Sequence, residues 1–218
     1  MPVEPPPPRY ELPPVDPYGL DDLVAVGGEL DPGTVLAAYR RGMFPMHLQD
    51  GRLAWWSPRR RGILPLEAMK VSRSLAKSYR KFSYTIDAAT GRVIEACAAQ
   101  PRPHGWITEE IRRTYLHLHE LGWVHSVETW SEEGELAGGL YGVGVAGLFA
   151  GESMFTRFRD ASKAALVYLV DTLRNAGAEM LDTQWSTPHL ESLGVIEIDR
   201  EEYLRRLEKA LGGTGPWT

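Results

Sequence analysis

Two short stretches carry the residue types from which catalysis could be built. In Leu148-Phe149-Ala150-Gly151-Glu152-Ser153-Met154-Phe155 a glutamate interrupts an apolar, strand-like run. A carboxylate there is costly unless it is paired or faces a pocket that receives a cation, so Glu152 is a candidate for holding an amine or guanidinium. The competing expectation is an ion pair with Arg157 or Arg159. The second stretch is Leu181-Asp182-Thr183-Gln184, at the end of another strand-like segment. Alternation along a strand sends Asp182 and Gln184 to the same side, where both could act on one bound molecule. A carboxylate and a polar donor held together suit the attack of an amine on an ester, which needs a proton removed and a carbonyl oxygen stabilised. Strand-end Asp and Gln also make ordinary turn hydrogen bonds.

Other reactive residues point elsewhere. Cys97 sits among Ile94, Ala96 and Ala98 and reads as core. His189 reads as a structural partner in a helix-turn segment with Ser192-Leu193-Gly194. Trp106, Tyr115, Phe149 and Met154 are core by default, with an aromatic wall for a base and an apolar pocket for a side chain as the functional alternative. No Cys/His cluster has metal spacing, and neither a Walker, a dinucleotide-glycine nor a Gly-x-Ser-x-Gly pattern occurs. Catalysis, if any, is expected to be metal-free.

The elements that would position these residues follow from periodicity and breakers. Eight of the 16 prolines lie in the first 17 residues, which predicts an extended arm outside the core. Asp31-Pro32 opens a helix near 32–42 carrying Tyr39, and Phe44-Pro45-Met46 reads as a loop. The adjacent Trp55 and Trp56 must pack against something. Residues 1–57 are therefore read as the proline-rich arm and a small N-terminal α/β module, and 58–218 as the main domain. Within it the pattern predicts helices at 72–80, 90–99, 108–121, 162–176 and 200–210, and strands at 82–87, 125–130, 136–142, 145–151 and 179–184. This is an α+β order, a mixed sheet flanked by helices, in which a central strand splays from its neighbour and a helix N-terminus faces the gap.

Composition bounds the function. A chain of 218 residues with 43% hydrophobic content can bury an ordinary core. A single cysteine and an N-terminus without a basic start or apolar run suggest neither disulfides nor a secretory signal, so a cytoplasmic location is expected. Leu136–Gly151, the longest uncharged run, has six glycines in 16 residues and falls short of a membrane helix. Net charge is −5, yet the segment 52–81 carries nine basic residues against the single acid Glu67. That charge of +8 beside −13 elsewhere makes the molecule a dipole whose basic lobe could hold a polyanion.

The order and spacing of these blocks resemble the leucyl/phenylalanyl-tRNA–protein transferase family along most of the chain. The matching residues run through Ala38-Tyr39-Arg40-Arg41-Gly42-Met43-Phe44-Pro45, Trp55-Trp56-Ser57-Pro58, Ser72-Arg73-Ser74, Trp106-Ile107-Thr108, His119-Glu120-Leu121-Gly122 and Gly138-Gly139-Leu140-Tyr141-Gly142. They continue through Phe149 to Phe155, Ala161-Ser162-Lys163, Asp182-Thr183-Gln184, and His189 with Ser192-Leu193-Gly194. The resemblance implies a GNAT-like acyltransferase domain that uses aminoacyl-tRNA as co-substrate, consumes no cofactor, acts as a monomer, and transfers leucine, less readily phenylalanine or methionine, to proteins beginning with Arg or Lys. It implies that Asp182 and Gln184 are a catalytic pair, with Asp182 orienting the α-amine, and that Glu152 lies near the acceptor amine. Tyr39, Trp106 and Tyr115 would surround substrate, and Leu140, Phe149, Met154, Leu166, Leu169 and Leu181 would line the pocket for the transferred side chain. Arg59, Arg60, Arg61, Arg73, Lys77, Arg80 and Lys81 would contact tRNA phosphates. Met46 departs from the family's usual tryptophan. The rival readings are an acyl-CoA or cell-wall aminoacyltransferase and a non-enzymatic tRNA-binding module; for the first, Arg157-Phe158-Arg159-Asp160-Ala161-Ser162 does not supply a pyrophosphate loop.

Overall fold

A computed structural model describes residues 1–100 and 106–217. Asp31 caps α1 (Pro32–Arg40) by accepting from the Thr34 amide at 3.0 Å, with Pro32 at the first helical position, where its missing N–H costs nothing. Around α1 lies a three-stranded antiparallel sheet of β1 (Leu23–Val26), β3 (Leu53–Trp56) and β2 (Phe44–His47), in that order. The stretch expected as a loop at Phe44–Met46 is thus a strand. Pro45 is tolerated there because β2 is the edge strand, and Phe44 pairs opposite Trp56. The tryptophan pair is accounted for: Trp55 is fully buried with its indole N–H on the Gly27 carbonyl (2.9 Å), and Trp56 donates to the Met46 carbonyl (3.0 Å).

The main sheet has seven strands in the order β10-β4-β9-β8-β7-β6-β5. They are β4 (Arg60–Leu64), β5 (Ser83–Ile86), β6 (Val124–Trp130), β7 (Leu136–Val145), β8 (Leu148–Thr156), β9 (Met180–Gln184) and β10 (Ile196–Asp199). The helices α2 (Arg73–Tyr79), α3 (Thr90–Ala98), α4 (Glu109–Glu120), α5 (Ala161–Asn175), α6 (Pro188–Ser192) and α7 (Arg200–Leu211) complete it. The chain is therefore α+β, a mixed sheet flanked by helices, with β1, β2, β3, β4 and β10 added to the strands that periodicity predicts. One core cluster joins Val35, Leu36 and Tyr39 to Ile111, Tyr115 and Leu118, and takes in Trp55 of the small sheet. A second joins Leu166, Leu169 and Val170 of α5 to Phe149 and Leu181. Every position of β7 is buried, and Gly138 lets α5 start against it: a Cβ there would lie 2.7 Å from that of Ala161.

The proline-rich arm is extended but not outside the core. Leu12 is 2% exposed, the Val3 amide donates to the Leu121 carbonyl, and the Trp123 indole donates to the Val3 carbonyl, both at 2.8 Å. Proline removes donors, so the arm docks through the Val3 amide, the carbonyls of Val3 and Leu12 and a few apolar side chains.

β8 and β9 are parallel and pair only at Leu148 with Met180, Phe149 with Leu181, and Ala150 with Asp182. Beyond these they separate, and the gap opens where Glu152 and Gln184 stand. The flank of α5, through Leu166 and Leu169, closes one side of it, rather than that helix's N-terminus.

Candidate active site

The gap is a cavity of about 410 Å³, within the roughly 300–1,000 Å³ range of small-ligand sites. Leu140, Phe149, Met154, Leu166, Leu169 and Leu181 form its apolar wall. Phe44, Met46, Trp106 and Trp185 also line it, as do His189 and Leu190 of α6. Glu152, Ser153, Thr183 and Gln184 supply polar atoms on the two diverging strands.

Glu152 meets no arginine head-on. Its Oε1 accepts from the Tyr39 hydroxyl at 2.7 Å and from the Gln184 amide at 3.3 Å, and its Oε2 accepts from the Tyr115 hydroxyl at 3.3 Å. The partners proposed as alternatives are occupied elsewhere: Arg157 reaches the Leu136 carbonyl, and Arg159 lies 3.7 Å from Asp160. Burial is the main force pushing the Glu152 carboxyl up to about 7; the Tyr39 hydrogen bond opposes this and the nearby Asp182 charge adds to it. The Tyr115 hydroxyl is also 2.6 Å from that of Tyr39, so with the Tyr39 proton on Glu152 the single Tyr115 proton is divided between Tyr39 and Oε2; burial and then the Glu152 charge raise both phenols well above their ordinary range. Both tyrosines are fully buried behind Glu152 and do not line the cavity, which corrects their expected place against substrate. They act on Glu152 instead.

Asp182 is also displaced from its expected task. It is wholly buried and does not line the cavity. Its Oδ1 accepts from Arg61 Nε (2.9 Å) and the Gln184 amide (2.9 Å); its Oδ2 accepts from Arg61 (2.6 Å) and the Tyr203 hydroxyl (2.9 Å). With both oxygens taken, it cannot itself grip an incoming amine. It holds the backbone of Gln184, whose φ of +59° is the left-handed conformation that a non-glycine residue keeps only when its surroundings enforce it. Asp182 and Gln184 thus belong to one network, joined through the main chain.

Arg61 corrects a second expectation. It is fully buried, stacked over Tyr203 (4.3 Å) and Phe44 (4.9 Å), and donates to the Gly42 carbonyl, so no phosphate can reach it. Burial alone would weaken its charge, but Asp182 outweighs it and holds the guanidinium above its ordinary range. Of the other basic candidates, Arg60 is paired with Asp199 (2.8 Å) and Glu197 (3.6 Å), whereas Arg59, Arg73, Lys77, Arg80 and Lys81 are exposed. Arg73 and Lys77 lie on α2, which packs against α5, and Arg80 and Lys81 follow directly.

Sequence reasoning did not find Tyr203, Phe44 or Trp185, since their roles arise from packing between distant segments. Cys97 is buried, as its neighbours indicate. Among the described residues no helix is long and apolar enough to cross a membrane, and no three His, Cys, Asp or Glu side chains gather as a metal cluster.

A family model described as leucyl/phenylalanyl-tRNA protein transferase matches residues 63–208, and the model of that family's N-terminal domain matches 28–59. The chain belongs to the leucyl/phenylalanyl-tRNA–protein transferase family. A relative so named from Novosphingobium aromaticivorans is 52% identical over 188 residues, covering 83% of this chain and 71% of its own. Another, from Aromatoleum aromaticum, is 45% identical over 220 residues, covering 96% and 92%. A third, from Azoarcus sp., is 48% identical over 191 residues, covering 86% and 81%. This transferase family membership makes the chain an aminoacyltransferase and sets aside the acyl-CoA and non-enzymatic readings. In this transferase, then, the network of Glu152, Gln184, Tyr39 and Tyr115 stands beside an apolar cavity that no acyl-CoA has to fill.

Proposed function

We propose that this cytoplasmic, monomeric enzyme transfers leucine, and less readily phenylalanine or methionine, from aminoacyl-tRNA to the α-amino group of proteins beginning with Arg or Lys, marking them for the bacterial N-end rule pathway. The observation that carries this is the cavity between β8 and β9: apolar along its wall, with Glu152 and Gln184 at its polar side. A leucyl side chain fits such a wall and a charged one does not, because its desolvation would go uncompensated. Leucine would be separated from one-methylene neighbours by only about 1–3 kcal/mol.

The new bond joins the acceptor nitrogen to the leucyl carbonyl carbon; the bond broken joins that carbon to the tRNA 3′ oxygen. Because the ester is already activated, positioning supplies much of the acceleration and no cofactor is needed. Glu152, with its carboxyl near neutrality, attracts the acceptor's ammonium and accepts its first proton, which passes on to solvent; the second proton, lost from nitrogen as the amide forms, goes to the departing 3′ oxygen, which leaves as a hydroxyl. Gln184 hydrogen-bonds the reacting centre. Asp182 is a positioning residue, fixing Gln184 through its amide and through Arg61 and Tyr203. Arg59, Arg73, Lys77, Arg80 and Lys81 attract the tRNA backbone.

The test is incubation with radiolabelled leucyl-tRNA and two peptides, one beginning with arginine and one with alanine. Label on the arginine peptide alone is expected. Equal labelling of both would remove the acceptor rule, and no label with tRNA still bound would remove the reaction.

A further inference from the structure

The turn that follows β9 is tethered from two sides to one aromatic ring. On the first side the Gln184 amide donates to Asp182, Arg61 grips Asp182 at 2.6 and 2.9 Å, and the Arg61 guanidinium lies over the Phe44 ring at 4.9 Å. On the second side the half-buried Trp185 meets the same ring edge-on, with centroids 4.9 Å apart and planes perpendicular, and stands 6.1 Å from Trp56. Phe44 and Trp56 pair across β2 and β3 of the small N-terminal sheet, and Trp56 and Trp185 both pack against the core cluster that holds α1. Just downstream, Thr187 caps α6 by accepting from the Leu190 amide at 3.2 Å. Gly62 passes beneath the turn, where a Cβ would strike the Trp185 carbonyl carbon.

We propose that Trp185 is a positioning residue for the transfer step: seated on Phe44 and Trp56, its indole fixes the turn that keeps the Gln184 side chain against Glu152. The inference rests on the transfer reading above. Gln184 has a φ of +59°, a conformation that a residue with a Cβ leaves unless its neighbours hold it. The Asp182 bond fixes the Gln184 amide alone. The reach of the side chain to Glu152, 3.3 Å from its nitrogen to Oε1, depends also on the direction in which the chain leaves, and Trp185 sets that direction. Perpendicular rings at this spacing have a preferred geometry, since the positive edge of one meets the negative face of the other. Trp185 therefore resists sliding more than an aliphatic side chain would. The small N-terminal sheet thereby acts on β9 through one side chain. Trp185 also lines the cavity, so support of Gln184 has to be separated from contact with substrate, and the division of an effect between kcat and KM separates them.

The full chain is assayed with leucyl-tRNA and an acceptor peptide beginning with arginine, below the melting temperature of every variant. Trp185→Leu is expected to lower kcat about tenfold, as displacement of a positioned group does, with the KM for leucyl-tRNA and for the peptide within about twofold of the parent. Trp185→Phe, which restores a ring edge, should recover kcat to within about threefold of the parent. Phe44→Leu should also lower kcat, and joining it to Trp185→Leu should cost less than about threefold further, because both changes release one support. Should Trp185→Leu not fold, Trp185→Met takes its place with the same expectation. Unchanged kcat in Trp185→Leu would overturn the inference, and so would a rise in KM alone, which would make the indole a wall for substrate. Equal losses in Trp185→Leu and Trp185→Phe, or fully multiplicative losses in the double variant, would overturn it as well, since the ring contact would then not carry the effect. Failure of the parent protein to label the peptide would remove the transfer reading and this inference with it, whereas a parent that labels leaves the variants to decide the inference alone.

Discussion

At the scale of single residues, the chemistry turns on a carboxyl group tuned by its surroundings. Glu152 titrates near 7 because burial outweighs the tyrosine hydrogen bonds that favour its charge. The acceptor's own α-amine ordinarily titrates at about 7.7–8.0, so kcat/KM should show two limbs. Glu152→Gln should abolish the limb near 7 and keep the amine's, which a pH–rate profile reads directly; an unchanged profile would deny Glu152 the proton. The same shift links to stability. Between its unfolded value of 4.5 and about 7 the folded protein holds the Glu152 proton more tightly than the unfolded chain does. Stability from this group is therefore present at low pH and lost as pH rises through that window, by at most about 3 kcal/mol before screening by cavity water. Removing one partner of the buried Asp182–Arg61 pair should cost about 3–5 kcal/mol, since the other charge is left unpaired. In urea melts, Asp182→Ala combined with Arg61→Ala should cost clearly less than the sum of the two single changes; additivity would show that the contact is not energetically coupled.

At the scale of elements, β4 is what brings the site together. Arg61 on it meets Asp182, and its next residue, Gly62, lies under the turn that follows Gln184. A Cβ at Gly62 would come 2.7 Å from the Trp185 carbonyl carbon and 2.8 Å from the Ser186 amide nitrogen, both backbone atoms that cannot rotate away. Gly62→Ala should shift that turn and lower kcat about tenfold or more, as displacement of a positioned group does, with the KM for leucyl-tRNA less affected. Normal turnover would show that the turn yields freely. β4 was not legible in the chain because Arg60-Arg61-Gly62 has neither alternation nor apolar length. Its strand character comes from pairing with β9 and β10. Phe44-Pro45-Met46 misled in the same way: Pro45 reads as a loop residue until β3 supplies a partner on one side only. The helices were easier, because caps such as Asp31 and Thr108 and the 3.6-residue periodicity act within one turn.

At the scale of the whole molecule, the uneven charge seen along the chain becomes a division of surface. The exposed cations Arg73, Lys77, Arg80 and Lys81 gather on and just after α2. Arg73→Glu with Lys77→Glu should weaken tRNA binding and flatten the dependence of log K on log salt by about two contacts' worth, roughly 0.7–0.9 per contact. Binding at several salt concentrations checks this, and an unchanged slope would place the phosphates elsewhere.

The chain by itself determined what short-range physics fixes: the helices, the α+β order and the presence of a carboxylate within an apolar strand; the apolar residues of the cavity wall came only through the family resemblance. Only the tertiary structure decided which polar groups face that cavity and which lie beneath it. Asp182, Arg61, Tyr39 and Tyr115 looked from the sequence like groups for substrate or phosphate, yet each is buried and bonded to another protein side chain. The physical reason is that a buried charge or hydroxyl must find its partner wherever the fold delivers one. Arg61 and Asp182 are separated by 121 positions, and Tyr39 and Glu152 by 113, so pairings at that range are set by strand order and helix packing rather than by any local pattern.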